Sequence, residues 1–184
     1  MLFDNNVFFS VCAAETGDAE EISDLIKYCV THTHGRYYTP EEISIWTEAY
    51  SKISVEECIA YKALMVFKGD EKILGTIQYD ACDNMIKMLY VHPYFQNMGI
   101  GGILLQFMLG TIKQSGIPEV NLSSNRIFMN WYIQKFSFEV VQKEVVIWGG
   151  LEFEEFLMRR TFPGNKRSAP NLPNGFRLKS WPSL

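Results

Sequence analysis

The sequence predicts a mixed α/β domain in which an antiparallel meander of three strands runs into a parallel β-α-β crossover. Three observations predict it. Met85-Ile86-Lys87-Met88-Leu89-Tyr90-Val91-His92 is an apolar strand, followed by Pro93 and a glycine-rich turn. Beyond the turn Ile100, Ile103, Leu104, Phe107, Met108 and Ile112 recur at helical spacing, and Gly116-Ile117-Pro118 stops the helix. Upstream, Ala63 to Phe67 and Ile73 to Tyr79 are strand-like runs joined by Lys68-Gly69-Asp70-Glu71-Lys72, and Cys82-Asp83-Asn84 turns into Met85.

In chain order, Val7 to Cys12 reads as a first strand. Thr16-Gly17-Asp18-Ala19-Glu20-Glu21 offers cap residues and negative charge for a helix start, and Ile22, Leu25, Ile26, Cys29 and Val30 give that helix one apolar face. Thr31-His32-Thr33-His34-Gly35 is expected to be a polar loop closing the helix. Two histidines here have no cysteine or carboxylate at ligand spacing, so no metal site is expected. Thr39-Pro40-Glu41-Glu42 is a capping box with proline at the first helical position, and Ile43, Trp46, Ala49 and Tyr50 form the apolar face of the helix it opens. Val55 to Tyr61 fits a helical turn or a loop equally well. After the crossover helix come a short strand at Val120 to Ser123, a short helix at Arg126 to Lys135, and a hairpin of Val140 to Trp148 with Leu151 to Arg160 around Gly149-Gly150. Residues 1–161 thus form one domain, and 162–184 a proline-interrupted basic extension carrying Lys166, Arg167, Arg177 and Lys179.

Composition narrows the class. A chain of 184 residues with 47% hydrophobic and 21% charged residues is that of a soluble globular protein. A net charge of -4 argues against a general nucleic-acid binder. No apolar run is long enough to span a bilayer, and Met1-Leu2-Phe3-Asp4 lacks the basic flank of a signal peptide. Cys12, Cys29, Cys58 and Cys82 form no Cys-x-x-Cys pair and are expected to be buried free thiols in a reducing cytoplasm.

The glycine-rich turn is where chemistry is expected. A strand that feeds glycine-rich backbone into a helix start points unpaired N–H groups outward, with the positive end of the helix dipole behind them. Phosphate is the usual occupant of such a place. Asn97 capping the helix is the alternative. A P-loop would need Gly-Lys-Ser/Thr, but Gly101-Gly102 is followed by Ile103; a dinucleotide fingerprint would need glycine where Leu104 stands.

What remains, Gln96-x-x-Gly99-x-Gly101 after a Val-His-Pro strand end, resembles the acyl-CoA pyrophosphate loop of the GCN5-related N-acetyltransferase (GNAT) family, Gln/Arg-x-x-Gly-x-Gly/Ala. A second stretch, Asn125 to Phe138 with Tyr132 at its centre, resembles in spacing the family motif Asn-x-x-Ala-x-x-Phe-Tyr-x-x-x-Gly-Phe. Thr39-Pro40-Glu41-Glu42-Ile43-x-x-Trp46 resembles a segment of many bacterial members. The resemblance covers residues 7 to 160 and implies the GNAT acyl-CoA N-acyltransferase fold, with its fourth and fifth strands splayed apart. Three positions depart from the pattern: Phe128 replaces a small residue, Ser137 replaces a glycine, and Met85 stands where many members carry a glutamate base.

The resemblance implies acetyl transfer from acetyl-CoA to a primary amine of a small molecule or peptide. Leu89, Tyr90 and Val91 would serve the pantetheine arm by backbone, with Val91 the donor to the thioester carbonyl. Gln96, Asn97, Met98, Gly99, Ile100, Gly101 and Gly102 would cradle the pyrophosphate, where side chains on Gly99 and Gly101 would block close approach. Asn125 would bond the cofactor arm, though as a turn residue it would look the same. Tyr132 would be the acid that protonates the leaving thiolate, or else a core aromatic. Asp80 and His92 are the candidates for a base, beside relay through water. Trp46, Tyr50, Tyr37 and Tyr38 would wall the acceptor pocket or simply pack. Family members often dimerise, so a homodimer is an expectation. Two other readings stay open: an acyl-CoA-binding module without turnover, and an interaction domain that has lost the cofactor.

Overall fold

The computed structural model describes residues 8–60 and 64–164. They fall into two compact units, the first taking the residues up to Tyr79 with Ile86–Met108, the second Asp80–Met85 with those from Leu109 onward.

In the first unit β1 (Phe9–Ala13) pairs antiparallel with β2 (Leu64–Gly69), Phe9 opposite Gly69 and Ala13 opposite Met65. β2 pairs with β3 (Lys72–Asp80) in a hairpin whose register shifts at Phe67/Lys68. The hairpin closes on Asp70 and Glu71, both left-handed at φ 48 and 67, the geometry that matches strand twist in two-residue turns. β4 (Met85–Val91) continues the meander, and His92 N–H reaches Leu74 O at 2.9 Å.

Helices α1 (Ala19–Cys29), α2 (Pro40–Glu48) and α3 (Lys52–Ala60) belong to this unit. Its core joins Ile22, Leu25 and Ile26 of α1 to Val55 and Ile59 of α3 and to Leu64, Val66, Ile73, Met88 and Tyr90 of the strands. Each such side chain contributes about 1.5–3 kcal/mol by leaving water. The Thr39 capping box forms: Glu42 N–H reaches Thr39 Oγ1 at 3.3 Å, and Glu42 Oε2 accepts Thr39 N–H at 2.7 Å. From Val55 to Ala60 the chain is helix, because Ser51 caps it, its Oγ accepting Ser54 N–H at 3.2 Å; Tyr61 lies outside the described residues.

Two expectations are corrected here. The segment Val30–His34 is a π-helical turn that prolongs α1, and His34 is buried at 5% exposure, where a polar loop was expected. Gly35 permits it, since a Cβ at that position would lie 2.4 Å from the carbonyl oxygen of Thr31. Of the four cysteines only Cys29 is buried; Cys12 and Cys58 are half-buried and Cys82 is exposed. Cys82 sits in a tight turn, where a side chain has nothing to pack under.

In the second unit β5 (Glu119–Ser124) and β6 (Glu139–Trp148) both pair antiparallel with β7 (Leu151–Thr161), which therefore lies between them. Gly149 and Gly150, at φ 56 and 84, make the β6–β7 turn. Asn84 stitches the 80–85 turn to β5: its Nδ2 donates to Glu119 O at 2.9 Å and its carbonyl accepts Asn121 N–H at 3.1 Å. α5 (Arg126–Phe136) packs Phe136 inward, and Phe138, Val120, Leu122, Phe153 and Met158 are buried with it. The crossover helix α4 (Ile100–Gln114) starts in the first unit and ends in the second. Val7, Ala63 at the start of the expected second strand, and the basic extension beyond Gly164 lie outside the described residues. Among the described residues no helix is long and apolar enough to cross a membrane.

Candidate active site

The glycine-rich turn builds its geometry one residue at a time. After β4, Pro93–Phe95 makes a single tight turn, with Phe95 N–H on His92 O at 2.8 Å. Gln96 is extended, Asn97 is left-handed at φ 62, and Gly99 is left-handed at φ 91 with open space where its Cβ would be. Glycine at 99 is therefore required by conformation rather than by packing. Ile103 N–H reaches Gly99 O at 3.0 Å, which makes Gly99 rather than Asn97 the residue before the first turn of α4. The N–H groups of Ile100, Gly101 and Gly102 precede that first bond. No acidic residue stands in the first turn to offset the dipole. Such a strand–turn–helix junction can hold an anion.

Gly75 sets how closely α4 approaches β3. A Cβ there would stand 3.0 Å from Leu104 Cδ1, 3.0 Å from Tyr90 O and 3.2 Å from Ile100 Cγ2. Since His92 bonds to β3, strand alternation turns the backbone groups of Leu89 and Val91 away from it. On that other side Val91 O accepts from Cys29 Sγ at 2.9 Å and from Gln96 Nε2 at 3.0 Å. Gln96 Nε2 also reaches Thr33 Oγ1 at 2.9 Å. Burial pushes the Cys29 thiol up to about 12, so it stays a protonated donor.

An aromatic cluster stands on the same strand. Trp46 Nε1 donates to Tyr90 Oη at 3.0 Å, and Tyr90 Oη donates to Tyr50 Oη at 3.4 Å. His34 lies against Trp46 with ring centres 4.7 Å apart, and Tyr38 meets Trp46 edge-on at 5.3 Å. Tyr37 is 63% exposed and does not join them. Burial, with Tyr50 beside it, holds the Tyr90 phenol well above its ordinary range, and burial lowers the His34 imidazole against the opposing pull of the Cys29 carbonyl. Sequence reasoning assigns Thr33 and His34 to a polar loop and Cys29 to the core, and none of the three to this site. Gly35 marks the place, since in its right-handed backbone a Cβ would lie 2.4 Å from the Thr31 carbonyl oxygen.

Both candidate bases are engaged otherwise. His92 Nδ1 accepts Tyr94 N–H at 3.4 Å and its ring stacks on Tyr28 at 5.0 Å; burial and His32 hold its pKa below the ordinary value. Asp80 Oδ1 accepts Cys82 N–H at 2.9 Å as a turn cap.

In the second unit Asn125 caps α5, its Oδ1 accepting from Ile127 N–H at 3.1 Å and Phe128 N–H at 3.3 Å. Tyr132 is buried between Trp131, 4.9 Å away, and Phe138, 5.9 Å away; burial holds its phenol well above the ordinary value, so it carries its proton at neutral pH. Phe128 is half-buried. Ser137 ends α5 in the left-handed conformation, φ 53 and ψ 39, with its N–H on Ile133 O at 3.2 Å. That is a conformation made for glycine.

A family model for the acetyltransferase (GNAT) domain matches residues 36–155. An uncharacterised N-acetyltransferase of Escherichia coli K12, YafP, is 25% identical over 145 residues, 79% of this chain and 91% of that one. Among solved structures, a GCN5-related N-acetyltransferase from Rhodopseudomonas palustris superposes with a TM-score of 0.77 at 14% identity, over 83% of this chain and 95% of that one. The PaiA N-acetyltransferase of Thermoplasma acidophilum, solved in complex with coenzyme A, gives 0.69 at 20% identity, over 84% and 99%.

Proposed function

The chain belongs to the GNAT acetyltransferase family, and on that premise we propose that it transfers an acetyl group from acetyl-CoA to a primary amine of a small molecule or peptide, in the cytoplasm. The observation that carries this reading is the junction of β4 and α4. There the left-handed Asn97 and Gly99 lead into a helix start without a carboxylate, which suits a pyrophosphate. That the similar PaiA was solved with coenzyme A supports it.

Acetyl-CoA would supply the acetyl group as an activated thioester. The backbone from Gln96 to Gly102 would hold its pyrophosphate, and Leu89 and Val91 its pantetheine arm; Tyr90, expected from sequence to join them, turns its backbone carbonyl toward Gly75 on β3 instead. Val91 N–H would bond the carbonyl oxygen as negative charge develops there. The acceptor nitrogen would form the new bond to carbon as the carbon–sulfur bond breaks, losing one proton, while Tyr132 would give one to sulfur. The aromatic residues Trp46, Tyr50 and Tyr38 would face the acceptor, with His34 added to them. Asn125, whose Oδ1 is engaged in capping, would have its amide nitrogen for the cofactor arm.

A second reading, acyl-CoA binding without turnover, is favoured by Met85, whose thioether cannot accept a proton, and by the capping roles of Asp80 and His92. Calorimetry with acetyl-CoA tests the shared part: Gly99→Val, forced into left-handed backbone, should bind at least about tenfold more weakly than wild type. Thiol release over a panel of amines then separates the two. Turnover unchanged in Tyr132→Phe would remove the acid assignment.

A further inference from the structure

Gln96 does more than open the loop. Val91 O can only accept, so the atom of the Gln96 amide that faces it must be the nitrogen, and its second N–H then points at Thr33 Oγ1. One side chain thereby joins the end of β4, the first residue of the loop and the π-helical turn. The turn is held at its other end by Cys29 on the same carbonyl. Directly after Thr33 comes His34, buried against Trp46 and within 6.3 Å of Tyr38. π turns are rare, and they occur frequently at functional sites. Gly35, with the Thr31 carbonyl in the place of its Cβ, fixes where the turn ends.

We propose that Thr33 is a positioning residue: through Gln96 it ties the π-helical turn, and with it the His34–Trp46–Tyr38 wall, to the loop that receives acyl-CoA, so that cofactor binding orders the acceptor side. This rests on the acyl-CoA reading above. Thr33 itself touches neither reactant. Anchoring the loop fixes Gln96, Gln96 fixes Thr33, and Thr33 fixes the wall.

Hydrogen exchange of residues 30–38, with and without coenzyme A at saturation, tests it. In wild type coenzyme A should slow exchange in this segment roughly tenfold, the effect of about one hydrogen bond. Thr33→Val keeps the shape and removes the acceptor oxygen. It should still bind coenzyme A within about threefold by calorimetry, because Gln96 keeps its bond to Val91, and should lose the slowing. Thr33→Ser should restore it, which a role in packing alone would not. Thr33→Ala is a second variant and should behave as Thr33→Val does. Slowing that survives in either Thr33 variant lacking the hydroxyl overturns the proposal, as does wild type that binds coenzyme A with no slowing at 30–38; both leave the acyl-CoA reading standing. Wild type that binds no coenzyme A overturns both.

Discussion

The indole N–H of Trp46 on α2 rests on the phenol oxygen of Tyr90 on β4 at 3.0 Å, a bond that spans 44 positions of sequence. It fixes α2 to the strand whose next residue is Val91. Tyr90→Phe keeps the ring but removes both the acceptor for Trp46 and the donor to Tyr50, and should cost about 1–3 kcal/mol, the penalty of stranding a buried donor. Urea unfolding should show the midpoint falling at unchanged slope.

Ser137 holds a conformation that costs an ordinary residue about 1–2 kcal/mol. Glycine removes that cost and adds back about 0.5–1 kcal/mol of freedom in the unfolded chain. Ser137→Gly should therefore stabilise the protein by about 0.5–1 kcal/mol, seen as a higher urea midpoint; a lower midpoint would contradict the strain.

His34 and His92 both titrate below the ordinary histidine value in the folded protein. The unfolded chain then binds protons first as pH falls through about 6.5. Stability from these rings is thus complete above that value and is lost progressively below it. Unfolding free energies measured between pH 8 and pH 5 should fall less steeply in His34→Gln than in wild type.

The thiols differ in exposure. Cys82 is exposed, whereas Cys29 is buried, donates to Val91 O and is pushed up to about 12. A thiolate is the reacting form. Iodoacetamide at mildly alkaline pH should therefore label Cys82 in the native protein and reach Cys29 only on unfolding, which peptide mapping would read directly.

The fold was legible wherever structure is local. The Thr39 capping box, the strand before Pro93 and the apolar stripe of α4 each declare themselves within a few residues. The same holds for the loop, since Gly99 answers a backbone demand that no neighbour imposes. What could not be read depends on distant partners. Thr33 meets Gln96 across 63 positions, so nothing near either residue announces the pair. The π turn reads as a loop because polarity at Thr31, His32 and Thr33 conceals a buried His34. Asn125 left two roles open from sequence, and the structure gives its oxygen to the helix cap. Tyr37 and Tyr38 read alike as neighbours, but only Tyr38 turns to Trp46.

Gly75 lies on a strand that contributes no residue to the loop motif, yet the helix start sits where it does because that glycine has no side chain. A methyl there would crowd Tyr90 O and press Ile100 and Leu104, the first turns of the helix, outward by a few tenths of an ångström. Efforts to graft this loop onto another scaffold, or to swap its motif for a relative's, therefore have to transplant an absence as well as a set of residues: the empty place on β3 is part of the strand–turn–helix junction, written well upstream of it.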